Sequence, residues 1–221
     1  MLIWYNLFII KDILTEKEYK DAFELNKYKY VDNFSEFLEE GCDLAGIETK
    51  EEAAMFLATL FHESNGMSVL VENDPETLPV SENLYGKYIG RGYIQLSDER
   101  NYKVLKKDFS DENKPYITYA QKAMENIIKR AEKDKSSELG KAFEKNGKSL
   151  LFDFEKNPQI VGEIEYAMIV SSWYWKENCH ELYMKGRSFE NIIENGIRAQ
   201  IRHNNRRREI YEKVCKAFNI E

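Results

Sequence analysis

The sequence predicts a mainly α-helical protein with one irregular stretch near its middle. Apolar residues recur at helical spacing along most of the chain, whereas Gly and Pro punctuate the stretch from Ser68 to Gly92. The length of 221 residues, with 43% hydrophobic and 32% charged residues, is typical of one folded globular domain. We therefore expect a single domain over residues 1–221, with functional residues in its irregular part.

Two of the predicted helices begin at recognisable capping residues. Thr15 followed by Glu18 is a capping-box pattern that opens a helix over residues 16–23. Thr49 is positioned to cap another helix, whose apolar face leads to Glu63. Both helices are predicted from capping patterns, in which the expected hydrogen bonds join residues only two or three positions apart.

The other helices are predicted from apolar periodicity. Aromatic residues at helical spacing indicate a helix from Tyr30 to Gly41, and residues 120–150 form a Lys- and Glu-rich, weakly apolar helical region. A long helix is expected to open at Asn157-Pro158 and to run to Trp175. A final helix is expected over residues 204–218.

The charge balance limits the possible partners. The formal net charge of −7 disfavours nucleic acid and anionic membrane, because both attract basic surfaces. The apolar opening, residues 1–10, is too short to span a bilayer and lacks the basic start of a signal peptide. We expect that segment to be a strand or helix packed on the core. Cys42, Cys179 and Cys215 allow either one bridge with a free thiol or three thiols.

One carboxylate has an unusual sequence context. Glu63 follows a run of large apolar residues and precedes Ser64-Asn65-Gly66, a sequence that stops a helix. Partial burial at such a point raises the pKa of a carboxyl group, which suits a general acid. His62-Glu63 also begins the zinc-protease motif, but Gly66 stands where the second His would be needed, so we expect no metal.

A second carboxylate is available for acid–base chemistry. Glycoside hydrolysis needs one protonated and one ionised carboxyl group, about 6.5–9.5 Å apart in inverting enzymes. Glu72 follows the turn at Gly66 and can face Glu63 across a groove if the chain continues extended. Glu82 is a rival for the role of base.

These residues belong to strings that resemble glycoside hydrolase family 19, which contains plant-type chitinases and bacteriophage endolysins. The resemblance covers most of the chain and leaves only about residues 105–150 unmatched, as a helical insertion or lobe. Its most specific part is the string Gly90-Arg91-Gly92 followed by Ile94-Gln95-Leu96. The strings are His62–Gly66, Glu72, Tyr88–Ser97, Asn101-Tyr102, Asn157-Pro158, Trp173–Trp175 and Ile192–Gly196.

The resemblance implies a lysozyme-like, two-lobed helical domain with a central substrate cleft. It implies inverting, endo-acting cleavage of β-1,4-linked N-acetylglucosamine polymer, with Glu63 as general acid and Glu72 as general base, and no cofactor or metal. Ser97 is implied to hold the attacking water. The implied substrate-binding residues are His62, Tyr93, Gln95, Asn101, Asn195 and Arg207, the last of which lies near the acid.

The chain departs from the family pattern at one loop. The family has a substrate-binding asparagine in this loop. In this chain the asparagine is either replaced by Glu194 or displaced by one position to Asn195. Arg91 is expected to hold its loop by ion pairing, and Trp173–Trp175 to belong to the core rather than to a sugar platform. The basic cluster from Arg198 to Arg208 is expected to be a solvated helix face with one inward-pointing arginine.

Three functions remain open from the sequence. The first is an endochitinase acting on chitin or chito-oligosaccharides, which the acidic chain favours because chitin is neutral. The second is a peptidoglycan-cleaving endolysin of the same family, and the third an inactive chitin-binding protein. We expect a monomer without a membrane span, secreted or associated with a cell wall.

Overall fold

The computed structural model describes residues 13–30, 34–72, 86–111, 114, 116–136, 140–141, 143–144, 153–198 and 204–220. Over these residues the protein is mainly α-helical, as predicted, and residues 1–10 lie outside them. The labelled helices are α1 (Glu16–Leu25), α2 (Phe34–Ala45), α3 (Lys50–Glu63), α4 (Glu99–Asp108), α5 (Tyr116–Lys133), α6 (Ile164–Trp175), α7 (Glu181–Met184), α8 (Phe189–Ile192) and α9 (Asn204–Ala217). A 3-10 helix (Pro158–Gly162) precedes α6, and π-helical turns occupy Lys176–His180 and Ile193–Ile197.

Helices α1 and α3 begin at the predicted caps. The Thr15 hydroxyl accepts a hydrogen bond from the Glu18 N–H at 3.2 Å, and the Glu18 carboxylate accepts the Thr15 N–H at 2.8 Å. The Thr49 hydroxyl likewise accepts the Glu52 N–H at 3.2 Å. Both predictions are confirmed because a cap depends only on its immediate neighbours.

Helix α2 is shifted from its predicted range. Tyr30 lies outside the helix, and its hydroxyl instead accepts the Ser35 N–H at 3.0 Å. The helix also continues past Gly41 to Ala45, so the predicted end was wrong. A β-carbon at position 41 would lie 2.6 Å from the Met168 sulfur. Gly41 therefore allows α2 and α6 to approach each other and does not terminate the helix.

The long helix predicted from Asn157 to Trp175 is divided in two. Pro158 opens a 3-10 segment, and Glu163 then adopts an extended conformation with ψ 136° before α6 begins at Ile164. The final helix, α9, spans nearly the range predicted for it.

The core is built around α3 and α6. Helix α9 packs on α3 and α1, while α2 and α5 pack on α6. Trp173 and Trp175 are buried and donate their indole N–H groups to Asp108 at 2.9 Å and to Glu52 at 3.0 Å. The prediction that these aromatic residues belong to the core is confirmed.

The three cysteines are all free thiols, so the alternative with a disulfide bridge does not hold. Cys42 and Cys179 are buried, and Cys215 is partly buried. Among the described helices, none combines the length and the apolar character that a membrane crossing requires.

Candidate active site

Glu63 is the last residue of α3, a helix otherwise buried from Glu52 to Phe61. The helix stops because the chain turns at Gly66, which has φ +71° and donates its N–H to the Phe61 carbonyl at 2.8 Å. A β-carbon on Gly66 would lie 2.3 Å from the Tyr28 ring, so the turn requires glycine. The turn brings Glu63 out of the core with its carboxylate facing an open groove.

A buried arginine holds the Glu63 carboxylate. Arg207 of α9 donates from Nη2 to Glu63 Oε1 at 3.0 Å, and the exposed fractions of the two side chains are 6% and 19%. The position of Arg207 follows from the packing of α9 on α3. The predicted inward-pointing arginine is thus confirmed, and Arg206 and Arg208 beside it are exposed. The guanidinium fixes the orientation of the carboxylate.

Glu72 is attached to the loop that carries Gly90, Arg91 and Gly92, called the glycine-rich loop below. Val71 and Arg91 form an antiparallel bridge, and the Glu72 N–H donates to the Gly90 carbonyl at 2.8 Å. The Gly90 N–H in turn donates to Glu72 Oε2 at 3.3 Å. Because its backbone and its carboxylate are both anchored to Gly90, the exposed Glu72 side chain has a defined position.

The same loop is organised by Arg91, which is buried. Its guanidinium donates from Nη1 to the carbonyls of Lys87 at 2.8 Å and Ile89 at 3.2 Å. Among the described residues, the groups that accept hydrogen bonds from Arg91 are these carbonyls and the Tyr102 hydroxyl, so the expected ion pair is not found within them. Arg91 and Leu96 also exchange both backbone hydrogen bonds, at 2.8 and 3.1 Å, which closes the loop into a tight hairpin.

Glu63 and Glu72 line one open groove of about 350 Å³. The groove separates α3 from the glycine-rich loop, with α9 at its side. Four of the residues predicted for the site contribute to it: His62, Glu63, Glu72 and Gln95. Its other lining residues, which sequence reasoning did not assign to the site, are Asn65, Val69 and Arg206. For Arg206 a signal was present, since it directly precedes Arg207.

Three other predicted residues contribute packing or loop contacts in the described structure. Tyr93 is 2% exposed and packs edge-on against Phe37, and burial raises the pKa of its hydroxyl to about 12. The Ser97 carbonyl accepts a hydrogen bond from the Asn101 amide at 2.8 Å. Neither Ser97 nor Asn101 is among the described residues that line the groove.

The loop that departs from the family pattern lies elsewhere. Glu194 and Asn195 are exposed on a π-helical turn, where the Asn195 amide donates to the Asn191 carbonyl at 3.0 Å. Asn195 does not line the groove as described, and Glu82, the rival base, lies outside the described residues. Within the described part of the chain, no group of three or more His, Cys, Asp or Glu residues could hold a metal ion.

Comparison with known proteins decides the fold. The sequence matches no family model and no curated protein. Solved structures do match: chitinase C from Streptomyces griseus HUT6037 has a TM-score of 0.55 and 19% identity, with 95% of this chain and 94% of that one covered.

The fold is that of the family 19 chitinases. A point mutant of chitinase C matches with a TM-score of 0.57 at 18% identity, covering 95% of this chain and 94% of the mutant. A bacterial family 19 chitinase matches with a TM-score of 0.54 at 19% identity, and the match covers 91% of this chain and 94% of that one. The lysozyme-like helical fold predicted from the sequence is therefore confirmed, and at these identities the likeness concerns the fold alone.

Proposed function

We propose that the protein hydrolyses β-1,4 bonds of an N-acetylglucosamine polymer by a single inverting displacement. The observation that supports this function is the shared groove: Glu63 and Glu72 both line it, and each is held by its own partner, Arg207 or Gly90. Two carboxylates with separate supports in one open groove are what acid–base cleavage of a glycosidic bond requires.

In the proposed reaction the two carboxyl groups exchange protons with different atoms. Glu63, protonated when substrate occupies the groove, gives its proton to the glycosidic oxygen as the bond from that oxygen to C1 breaks. Glu72 takes a proton from a water molecule whose oxygen bonds to C1 from the opposite face. The new reducing end is therefore the α-anomer. No metal or cofactor takes part in these steps.

The proposed substrate is chitin or its oligosaccharides. The matched structures are described as chitinases, and the net charge of −7 is compatible with a neutral polymer. One observation favours the second candidate, peptidoglycan: the groove also contains Arg206, an exposed cation next to the acid. A guanidinium can bind a carboxylate carried by a sugar. The monomeric state, the secreted or wall-associated location, and roles for Ser97, Tyr93, Asn101 and Asn195 stay predictions.

The test uses chitin hexasaccharide and purified peptidoglycan, with the product anomers resolved early in the reaction. We expect the wild type to release the α-anomer first. The variants Glu63→Gln and Glu72→Gln are each expected to lose at least about 100-fold in kcat. Glu125→Gln, the same change at an exposed position on α5, is the matched control and is expected to leave kcat unchanged.

Each outcome decides between the candidates. Cleavage of peptidoglycan alone would retain the mechanism and assign the substrate of an endolysin. Early release of the β-anomer would refute the single displacement. Binding of either polymer without cleavage would identify the inactive, polymer-binding protein.

A further inference from the structure

Three consecutive residues with positive φ follow the proposed acid, in the turn that leads towards Glu72. Asn65, Gly66 and Met67 have φ +49°, +71° and +63°. Glycine adopts this left-handed conformation freely, but it is unfavourable for a residue with a β-carbon, above all for a long side chain such as that of methionine. A chain keeps such a conformation only where its surroundings impose it, and positions of this kind cluster at functional sites. The turn is therefore a candidate for a functional role.

The turn is held in this conformation by Ser64, which is buried. The Ser64 carbonyl accepts the N–H groups of Ser68 at 3.0 Å and of Val69 at 2.9 Å. The Ser64 hydroxyl accepts the Met67 N–H at 3.0 Å. The Ser68 hydroxyl then donates to the Asn65 carbonyl at 2.7 Å. These hydrogen bonds fix the backbone of Asn65 and the backbone of Val69 relative to each other.

The turn contributes one amide and one apolar residue to the groove. Asn65 and Val69 are both exposed, and both line the groove that Glu63 and Glu72 share. In the part of the chain that the structure describes, no group forms a hydrogen bond with the Asn65 side-chain amide, so its donors and its acceptor are available. The Val69 carbonyl accepts the Gln95 amide at 3.2 Å, which joins the turn to the glycine-rich loop.

We propose that Asn65 and Val69 recognise the acetamido group of a sugar bound in the groove. The inference deepens the proposed hydrolysis and rests on it for the class of substrate. An acetamido group consists of an amide and a methyl group, and the turn offers a group of matching chemistry for each. The Asn65 amide exchanges hydrogen bonds with the acetamido amide, and Val69 covers the methyl group. The pair therefore determines specificity for N-acetylated polymers and takes no part in the bond cleavage itself.

Asn65→Gly separates this role from a purely structural one. Asparagine tolerates positive φ better than most residues, and glycine tolerates it at least as well, so the variant keeps the turn and removes only the amide. Calorimetry measures the Kd of chitin hexasaccharide in Glu63→Gln protein, where the sugar stays uncut. We expect Asn65→Gly to raise this Kd about 10-fold through the lost hydrogen bonds. The matched control is Asn219→Gly, at an exposed asparagine with φ +56° that does not line the groove, and it is expected to leave Kd unchanged.

Val69→Thr tests the contact with the methyl group, because threonine has the shape of valine and exchanges one methyl for a hydroxyl. The probes are chitin hexasaccharide and its N-formyl analogue, which is also neutral but lacks the acetamido methyl groups. We expect Glu63→Gln protein to bind the N-acetyl form more tightly, and Val69→Thr to reduce that preference about 4-fold. Val104→Thr, at an exposed valine of α4, is the control and is expected to keep the preference. The Tm of every variant is measured alongside.

The outcomes separate this inference from the proposed function, because binding is measured apart from cleavage. An unchanged Kd for Asn65→Gly, or an unchanged preference for the N-acetyl form in Val69→Thr, would overturn the inference while the hydrolysis stands. A much larger fall in Tm for Asn65→Gly than for Asn219→Gly would assign Asn65 a structural role and overturn it too. If the expected losses in binding are found but the wild type cleaves neither polymer, the inference holds and the proposed hydrolysis fails. Absence of any binding would overturn both.

Discussion

Replacing Arg207 with methionine tests the support of the proposed acid. Arg207 is 5% exposed and contacts Glu63 at 3.0 Å, so the gross attraction is about 5 kcal/mol at an effective dielectric constant of about 20. Methionine fills a similar volume, which limits any cavity. Because Glu63 faces the groove and can be hydrated, we expect a net loss of about 2–3 kcal/mol, below the usual cost of breaking a buried pair.

For a chain of this size, the loss corresponds to a fall of roughly 4–12 °C in Tm. Loss of orientation at Glu63 is expected to lower kcat about 100-fold. The matched control is Arg208→Met, one residue on, where the ion pair with Glu190 has side chains 54% and 41% exposed. Such a surface pair contributes about 0–1 kcal/mol. Calorimetry and hexasaccharide kinetics measure both effects. A Tm for Arg207→Met equal to that of Arg208→Met, with kcat retained, would refute the reasoning.

Two further predictions concern the segments that position the groove. Gly66→Ala is expected to destabilise the protein by at least about 2 kcal/mol, since both its positive φ and the Tyr28 ring oppose a β-carbon. Gly186 also has positive φ, +68°, but no atom lies near an added β-carbon, so Gly186→Ala is expected to lower the free energy of unfolding by only about 1 kcal/mol. Chemical denaturation measures both losses, and equal losses would exclude a role for the Tyr28 ring. Asp98 caps α4 by accepting the Arg100 N–H at 2.9 Å, and its contacts with Arg100 lower its pKa to about 2. Since the folded-state pKa is depressed, this stabilisation is present above about pH 4 and is lost as the pH falls towards 2. Asp98→Asn retains a capping oxygen without the charge. The Tm of the wild type should exceed that of Asp98→Asn above about pH 4, and this difference in Tm should shrink as the pH falls towards 2. A Tm difference that stays constant across this pH range would contradict the assignment.

The sequence by itself determined the features that depend on neighbouring residues. Thr15 with Glu18, and Thr49 with Glu52, begin helices through hydrogen bonds across three positions, so their pattern is visible without the fold. The helix stop after Glu63 was predictable for the same reason. The motif resemblance added the fold and the proposed pair of carboxylates.

Apolar spacing alone misled where tertiary contacts compete with it. Tyr30 continues the aromatic period of α2 but lies outside the helix, and Gly41 looks like a helix end but serves as a contact point for Met168. For Tyr93, the family resemblance implied a place at the groove; the side chain is buried, and its role stays a prediction. Met168 and Phe37 are distant in the sequence from Gly41 and Tyr93, and local periodicity carries no information about such partners.

Only the tertiary structure decided how the groove is assembled. Arg207 and Glu63 are 144 positions apart, and they meet because α9 packs on α3. Glu72 and Gln95 meet at Gly90 because the loop folds back onto Val71, and the absence of a β-carbon at Gly90 allows both side chains to approach closely. The sequence supplied the chemical groups; their distances and orientations follow from long-range packing, because side chains converge on a site only after the elements that carry them have packed together.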